Sequence, residues 1–299
     1  MSDHRGMVNV PGGRFRMGSM DFYPEEQPVI EAEVDDLWVD EHPVTNAEFR
    51  RFVKDTGWVT VAEREPAPED FPGAPPEQLV PGSQVFTPTA GAVPLDDWRR
   101  WWRWQPGADW RHPEGPGSTL HGLDRHPVVH VGWEDARAYA EWAGKRLATE
   151  TEWEHAARGG LDHTTYAWGD QFHRRGRVMA NTWQGAFPYE RLHVFNGAGT
   201  SPVGTFPPNG YGLLDVAGNV WEWTSSDWSS NHAERSEQHP VEHACCGPHV
   251  VTEADRKVMK GGSHLCAPSY CHRYRPAARQ GHGVRSSTNH LGFRCVRDD

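Results

Sequence analysis

The chain of 299 residues is long enough for one large domain or two ordinary ones, and either buries a sizeable core without disulfide staples. Thirty basic against 41 acidic residues leave a formal charge of −11 with no basic stripe, which argues against nucleic acid and anionic membrane as partners. Five cysteines make no disulfide scaffold, and the odd count leaves at least one thiol free or bonded outside the chain.

The N-terminal "MSDHRGMVNVPGG" has no apolar run of signal-peptide length, and nothing later approaches the roughly 18 apolar residues of a spanning helix. The expectation is a soluble, cytoplasmic protein in a reducing compartment. Val8 and Val10 alternate before a Pro-Gly-Gly turn, with Phe15 and Met17 after it, which predicts a hairpin. In "TNAEFRRFVKDTG", Thr45 and Glu48 have capping-box spacing, Phe49, Phe52 and Val53 share one face, and Gly57 sits where a C-cap glycine belongs; this predicts a short amphipathic helix. Pro66–Gly91, rich in Pro, Gly and Glu, reads as one of the two least ordered regions, the other being the polar, His-rich Ser225–Arg256. Between them "DDWRRWWRWQPGADW" packs five tryptophans into positions 98–110. Aromatics interleaved with Arg suit base stacking, but the acidic balance favours tryptophans that pin long loops onto a core with few strands.

"WEDARAYAEWAGKR" predicts a second helix, with Ala136, Tyr139 and Ala140 on one stripe and Gly144 as the stop. A third follows, capped by Thr149 and Glu152, with Trp153 and Ala156 facing inward and Gly159-Gly160 ending it. With 31 Gly and 24 Pro spread along the length, the remainder reads as short strands and long loops. No 20–50-residue period repeats, so no solenoid or propeller is indicated.

"GGSHLCAPSYCHRYR", residues 261–275, holds the cysteines that bear most on chemistry. Five positions apart, Cys266 and Cys271 lie on opposite faces of a strand and about 140° apart around a helix, so only a turn brings the sulfurs together. Ala267, Pro268 and Ser269 suit one. Converged, two thiolates form a soft site that favours Cu(I) and leaves room for a third ligand. A structural disulfide is the first alternative, disfavoured in a reducing compartment. A zinc site using His264 or His272 is the second, although zinc takes four ligands and the spacing matches no common finger. Spacing alone does not choose among the three.

Several stretches carry a resemblance: "VPGGRFRMGS", "HPVTNAEFRRFV", "HPVVHVGWEDARAYAEWAGKRLATETEWEHAARGG", "YAWGD", "ANTWQGAFP", "FPPNGYGLLDVAGNVWEWT", "KGGSHLCAPSYCHRYRPAAR" and "HLGFRC". In this order they resemble the formylglycine-generating enzymes, or sulfatase-modifying factors, from about residue 7 to 296. The resemblance implies one α+β domain over residues 1–299, C-type-lectin-like and low in regular secondary structure. It implies a monomeric oxidase that uses Cu(I) and O₂ to convert a cysteine in a Cys-X-Pro-X-Arg motif of an unfolded or nascent sulfatase polypeptide to Cα-formylglycine. In that context copper ligation by Cys266 and Cys271 is favoured over the disulfide and the zinc clip. Ser263 matches a serine beside the copper, Tyr270 the tyrosine before the second cysteine, and Trp221 a tryptophan near the substrate cleft. His290 stands where the family carries asparagine, and "GHGVRSS" replaces the usual Asn-Thr-Pro-Asp after "AAR", so substrate contacts on that side differ.

The resemblance also implies two calcium sites. Asp215, Gly218, Val220 and Glu222 match one, with hard oxygen ligands that suit Ca²⁺. The other would use Asn181, Thr182 and an aspartate whose place Phe195 takes, leaving it empty or served by Asn196 or Gly197. Cys295 is disulfide-bonded in secreted relatives, but the partner position is Ala157, so a free buried thiol is expected. Adjacent Cys245 and Cys246 rarely bond to each other and receive no role. The competing class is a non-enzymatic binding module on the same scaffold. A small-thiol oxidase or sulfoxide synthase would need a His-xxx-His-x-Glu iron site in a helical domain, and the chain has neither.

Overall fold

Three helices form where the capping residues place them. Thr45 accepts from the Glu48 N–H while the Glu48 carboxylate returns to the Thr45 N–H, starting α1 (Asn46–Thr56), and Gly57 ends it at a φ of +69°. Helix α2 (Trp133–Trp142) starts at Gly132, whose N–H donates to Asp135, and stops at Ala143-Gly144. Helix α3 (Glu150–Arg158) repeats the Thr149/Glu152 box and closes at Gly159. The computed structural model describes residues 4–68, 74–75, 79–192, 199–233 and 256–298. Phe195, Asn196, Gly197, Cys245 and Cys246 lie outside them.

Among the described residues twelve short strands accompany the helices: β1 (Met7–Val10), β2 (Gly13–Met17), β3 (Ile30–Val34), β4 (Leu37–Asp40), β5 (Gly82–Phe86), β6 (Trp102–Pro106), β7 (Arg146–Leu147), β8 (Trp221–Asp227), β9 (Arg256–Lys260), β10 (Arg279–Gly283), β11 (Leu291–Gly292) and β12 (Cys295–Asp298). One four-stranded sheet runs β1-β4-β12-β7 and the other β10-β9-β8-β11, with β2-β3 and β5-β6 as separate pairs. This is the α+β architecture with little regular structure that the sequence implies.

The predicted hairpin at residues 8–17 does not form. β1 pairs with β4, and β2 with β3, so residues 7–17 lie antiparallel to 30–40 instead of folding on themselves. Gly12 explains the arrangement: its N–H donates to Asp36, and a Cβ there would sit 2.4 Å from the Val34 carbonyl oxygen. Both regions read as least ordered also contribute strands. β5 lies inside Pro66–Gly91, held where Ser83 Oγ meets the Ser287 carbonyl at 2.7 Å, and β8 and β9 extend into the two ends of Ser225–Arg256.

The main core gathers Phe49, Phe52, Tyr139, Trp221, Trp223 and Phe293, and it reaches Cys266. A buried ionic layer reinforces it. Glu150 grips Arg279 through both oxygens, Glu26 grips Arg275, and Glu154 receives both Arg158 (2.7 Å) and Lys260 (2.8 Å). These pairs tie α3 and the N-terminal loops to β9 and β10, on either side of the cysteine loop. Of the five clustered tryptophans, Trp101 and Trp110 are fully buried and serve as the predicted pins.

Candidate active site

Strand β9 ends at Lys260 and hands the chain to Gly261-Gly262. Gly262 has a φ of +68°, and a Cβ on it would fall 2.6 Å from the Arg273 carbonyl oxygen, so only glycine lets the two arms of the loop approach this closely. Two tight turns follow. The Cys266 N–H donates to Ser263 O (2.9 Å), and the Cys271 N–H donates to Ala267 O (2.7 Å), winding Ala267-Pro268-Ser269 into the turn that convergence requires. The Cys266 carbonyl accepts from the Trp183 N–H, fixing the loop to the neighbouring segment.

The two sulfurs stand 3.0 Å apart. That is beyond disulfide bonding distance and close enough for one thiol to donate to the other. The hydrogen bond from Cys266, with the nearby Arg273 guanidinium, pulls the Cys271 pKa down to about 7, whereas burial and the neighbouring Cys271 push the Cys266 thiol up. Arg273 is fixed by Glu25 at 2.6 Å and lies over the Tyr23 ring at 3.7 Å. The histidines of the zinc alternative do not join the sulfurs. His264 turns its Nδ1 to Arg191 (3.0 Å), and His272 engages the Tyr166 hydroxyl (2.9 Å).

Both cysteines line a cavity of about 220 Å³ with Ser263, Trp102, Phe187, Tyr270, Trp221 and His290 among its walls. Ser263 Oγ accepts from the Leu265 N–H (3.2 Å) and lies 3.4 Å from His290 Nδ1, while the Ser263 N–H donates to the Cys266 sulfur (3.4 Å). Burial pulls the His290 pKa down to about 3, so its imidazole is neutral at physiological pH. The Tyr270 ring stacks on Phe187 at 4.6 Å and forms a wall of the cavity. Trp221, 2 % exposed, is at once a core residue and a wall. The structure therefore brings the four residues predicted around the thiols, Ser263, Tyr270, Trp221 and His290, into one cavity with Cys266 and Cys271. The sequence reading missed Arg273, Phe187 and Trp102; the signal for Arg273 was its place two residues after Cys271, and Trp102 was hidden in a cluster read only as pins.

Asp215 sits in a left-handed turn with a φ of +53°, and its carboxylate accepts from the Gly204 N–H (2.8 Å). Burial, with Glu222 nearby, raises its pKa to about 6. Glu222 gives both oxygens to Arg294 and one also to the Trp153 indole. At the other predicted calcium site, Asn181 Nδ2 donates to Gly199 O and Asn219 Oδ1. The Arg191 guanidinium donates to that same Gly199 carbonyl (2.7 Å). Among the described residues no cluster of three or more His, Cys, Asp or Glu side chains is arranged to hold a metal. Cys295 is free and fully buried, as Ala157 in the partner position implies. No helix among the described residues is long and apolar enough to cross a membrane.

A sulfatase-modifying factor enzyme 1-like domain model matches residues 1–299. A protein of Mycobacterium tuberculosis named formylglycine-generating enzyme is 55% identical over 296 residues, covering 98% of this chain and 97% of its own. A Bos taurus protein named inactive C-alpha-formylglycine-generating enzyme 2 is 40% identical, covering 97% of this chain and 87% of its own. The solved structure of PvdO from Pseudomonas aeruginosa superposes with a TM-score of 0.64 at 23% identity, covering 98% of this chain and 94% of that one.

Proposed function

The chain belongs to the sulfatase-modifying factor enzyme 1-like family, and from that premise we propose that it converts a cysteine of a sulfatase polypeptide, within a Cys-X-Pro-X-Arg segment, to Cα-formylglycine with O₂ as the oxidant. The observation that carries this reading is the Cys266–Cys271 pair, 3.0 Å apart in an aromatic-walled cavity. Two sulfur donors with the cavity beside them fit Cu(I), a soft ion that tolerates low coordination. Copper held there would supply one-electron reactivity toward O₂.

The remaining work falls to the chain's own residues. The cavity admits the client thiol beside Cys266 and Cys271 as a further sulfur donor, and Trp102, Phe187 and Tyr270 keep bulk water from it. Ser263 receives the Leu265 N–H, so its own proton is directed toward His290 Nδ1, and the neutral His290 gives the pair a proton acceptor in the same cavity. Turning CH₂–SH into an aldehyde with sulfur leaving as sulfide puts one oxygen atom in the product and the other in water. That balance takes up two electrons and two protons beyond the client's own, which a thiol reductant supplies, in keeping with work in a reducing, cytoplasmic compartment.

Calcium is proposed at the Asp215 loop only. There the buried Asp215 carboxylate accepts the Gly204 N–H, so it and the Gly218 and Val220 carbonyls are the donors open to a hard ion, and Glu222, whose two oxygens are taken by Arg294, would join them only by giving up that pair. At Asn181 and Thr182 the fixed Arg191 guanidinium does not fit a divalent ion, and no second calcium is proposed.

One relative 40% identical to this chain is named inactive, so the scaffold alone does not carry activity. X-ray absorption of the Cu(I)-loaded protein without O₂ separates the readings. A client peptide with Cys should add one sulfur to the copper shell, and the Ser peptide should add none. An unchanged shell with both would contradict direct ligation, and equal binding of the two peptides without conversion would favour a non-enzymatic module.

A further inference from the structure

Gln280 lines the thiol cavity with Cys266, Cys271 and His290. The other polar groups there are engaged: the sulfurs with each other, Ser263 with Leu265 and His290, and Arg273 with Glu25. Among the described residues no hydrogen bond engages the Gln280 carboxamide.

The sheet fixes its direction. β10 pairs with β9 along its whole length, with Gln280 opposite Met259, and successive side chains alternate between the two faces. Arg279 and Gly281 share one face: the Arg279 guanidinium grips Glu150, and a Cβ on Gly281 would fall 2.4 Å from the Trp228 ring. Gln280 is thereby turned to the other face, where it closes the thiol cavity. β9 in turn runs through Lys260 into Gly261-Gly262 and the cysteine loop, so Gln280 and the sulfurs share one frame. Gln280 also stands immediately before "GHGVRSS", the stretch in which this sequence departs from the usual family pattern.

A carboxamide offers an N–H donor and an acceptor oxygen side by side. The N–H and C=O of one residue in an extended chain point to the same edge, so they match such a pair as one strand residue matches another. A client cysteine whose sulfur reaches Cys266 and Cys271 brings its own peptide groups to the cavity wall, where Phe86 and Phe187 offer them no partner. We propose that Gln280 is a substrate-positioning residue, its Nε2 donating to the carbonyl and its Oε1 accepting the N–H of the client's reactive cysteine. This rests on the proposed function, because a cysteine within a polypeptide is what carries both groups beside its thiol. It makes the site a reader of peptide backbone, and a small thiol without an amide fills only the sulfur end.

The test uses a Cys-X-Pro-X-Arg peptide with the Cu(I)-loaded protein, read both as turnover under air and as binding without O₂. Gln280→Met keeps the length of the side chain and removes both hydrogen-bonding groups. Its KM and its Kd should each rise about 10-fold with kcat within about twofold of the parent, as expected for two neutral hydrogen bonds made equally in the ground and transition states. Methylating the backbone nitrogen of the client cysteine removes the matching N–H. That peptide should bind the parent more weakly and should lose several-fold less on Gln280→Met, a coupling that a merely structural role would not produce. Should Gln280→Met fail to fold, Gln280→Ala gives the same comparison. A parent that converts the peptide, with variants equal to it in KM and Kd or with the same N-methyl penalty in both, overturns the inference and leaves the proposed function standing. A parent that neither binds nor converts the peptide overturns both. Binding with the N-methyl coupling but without conversion would keep the backbone contact and remove the proposed chemistry.

Discussion

Glu154 offers the sharpest test of how the cysteine loop is held. Its carboxylate receives Lys260 at 2.8 Å, Arg158 at 2.7 Å and the Gly18 N–H at 2.8 Å, all buried. Lys260 is the last residue of β9, immediately before Gly261-Gly262 and the turn to Cys266. Burial by itself would raise the Glu154 pKa, but Lys260 and Arg158 outweigh it and bring the value from 4.5 down to about 2. At about 1.4 kcal/mol per tenfold change in proton affinity, that fall corresponds to roughly 3 kcal/mol of stability at neutral pH. Glu154→Gln keeps the size and removes the charge, leaving two buried cations short of a counterion, and breaking buried pairs costs a similar ~3–5 kcal/mol. The expected fall in Tm is about 6–12 °C for a domain of this size. Because the folded pKa is depressed, the contribution is present above pH 4.5 and disappears as pH drops toward about 2. The gap between parent and variant in urea or thermal melts should therefore be widest near neutrality and close on acidification. Lys260→Met added to Glu154→Gln should recover part of the loss. A single variant that melts with the parent at neutral pH, or a gap that widens in acid, would refute the reasoning.

Cys266→Ser and Cys271→Ser should each abolish Cu(I) binding and turnover together while the far-UV spectrum stays that of the parent, because neither site has a spare sulfur donor nearby; a single variant that turns over at the parent rate would mean the ligands are elsewhere. Asp215→Ala should remove the dependence of Tm on added Ca²⁺ that the parent is expected to have, and a parent whose melting ignores both Ca²⁺ and chelator would argue against the ion. Glu222→Ala is a poorer probe, since it strands the buried Arg294 whether or not calcium is present.

Local signals in the sequence carried the helices well. Thr45/Glu48 and Thr149/Glu152 close their boxes as spaced, because a capping box needs only four consecutive residues to specify it. The turn between Cys266 and Cys271 was legible for the same reason: Pro268 and the five-residue spacing leave the backbone few ways to bring two sulfurs together. Pairings set by distant residues were not. β1 and β2 alternate like a hairpin, yet their partners lie beyond a long loop, and nothing near Gly12 announces that Asp36 will take its N–H. β5 escaped notice amid Pro and Gly because its ladder partner β6 lies about twenty residues on, within the tryptophan cluster, and Ser287, which bonds Ser83, lies farther still. The ionic layer was equally hidden, since Glu150, Glu154, Lys260 and Arg279 look in sequence like ordinary surface charges and become buried pairs only when α3, β9 and β10 meet, as Arg275 does only when Glu26 reaches it from the N-terminal segment. In the site, the only sign of Arg273 was its place two residues after Cys271, because the contacts that aim it come from Glu25 and Tyr23, some 250 residues earlier.

The central claim is that the sulfur pair acts on a peptide cysteine. The most direct measurement is mass spectrometry of a Cys-X-Pro-X-Arg peptide incubated under air with the Cu(I)-loaded protein and a thiol reductant. The account predicts a product lighter by the thiol-to-aldehyde difference that is trapped by a hydrazide, and no such product from the Cys266→Ser protein. An unaltered peptide after prolonged incubation with copper-replete, folded protein would contradict it.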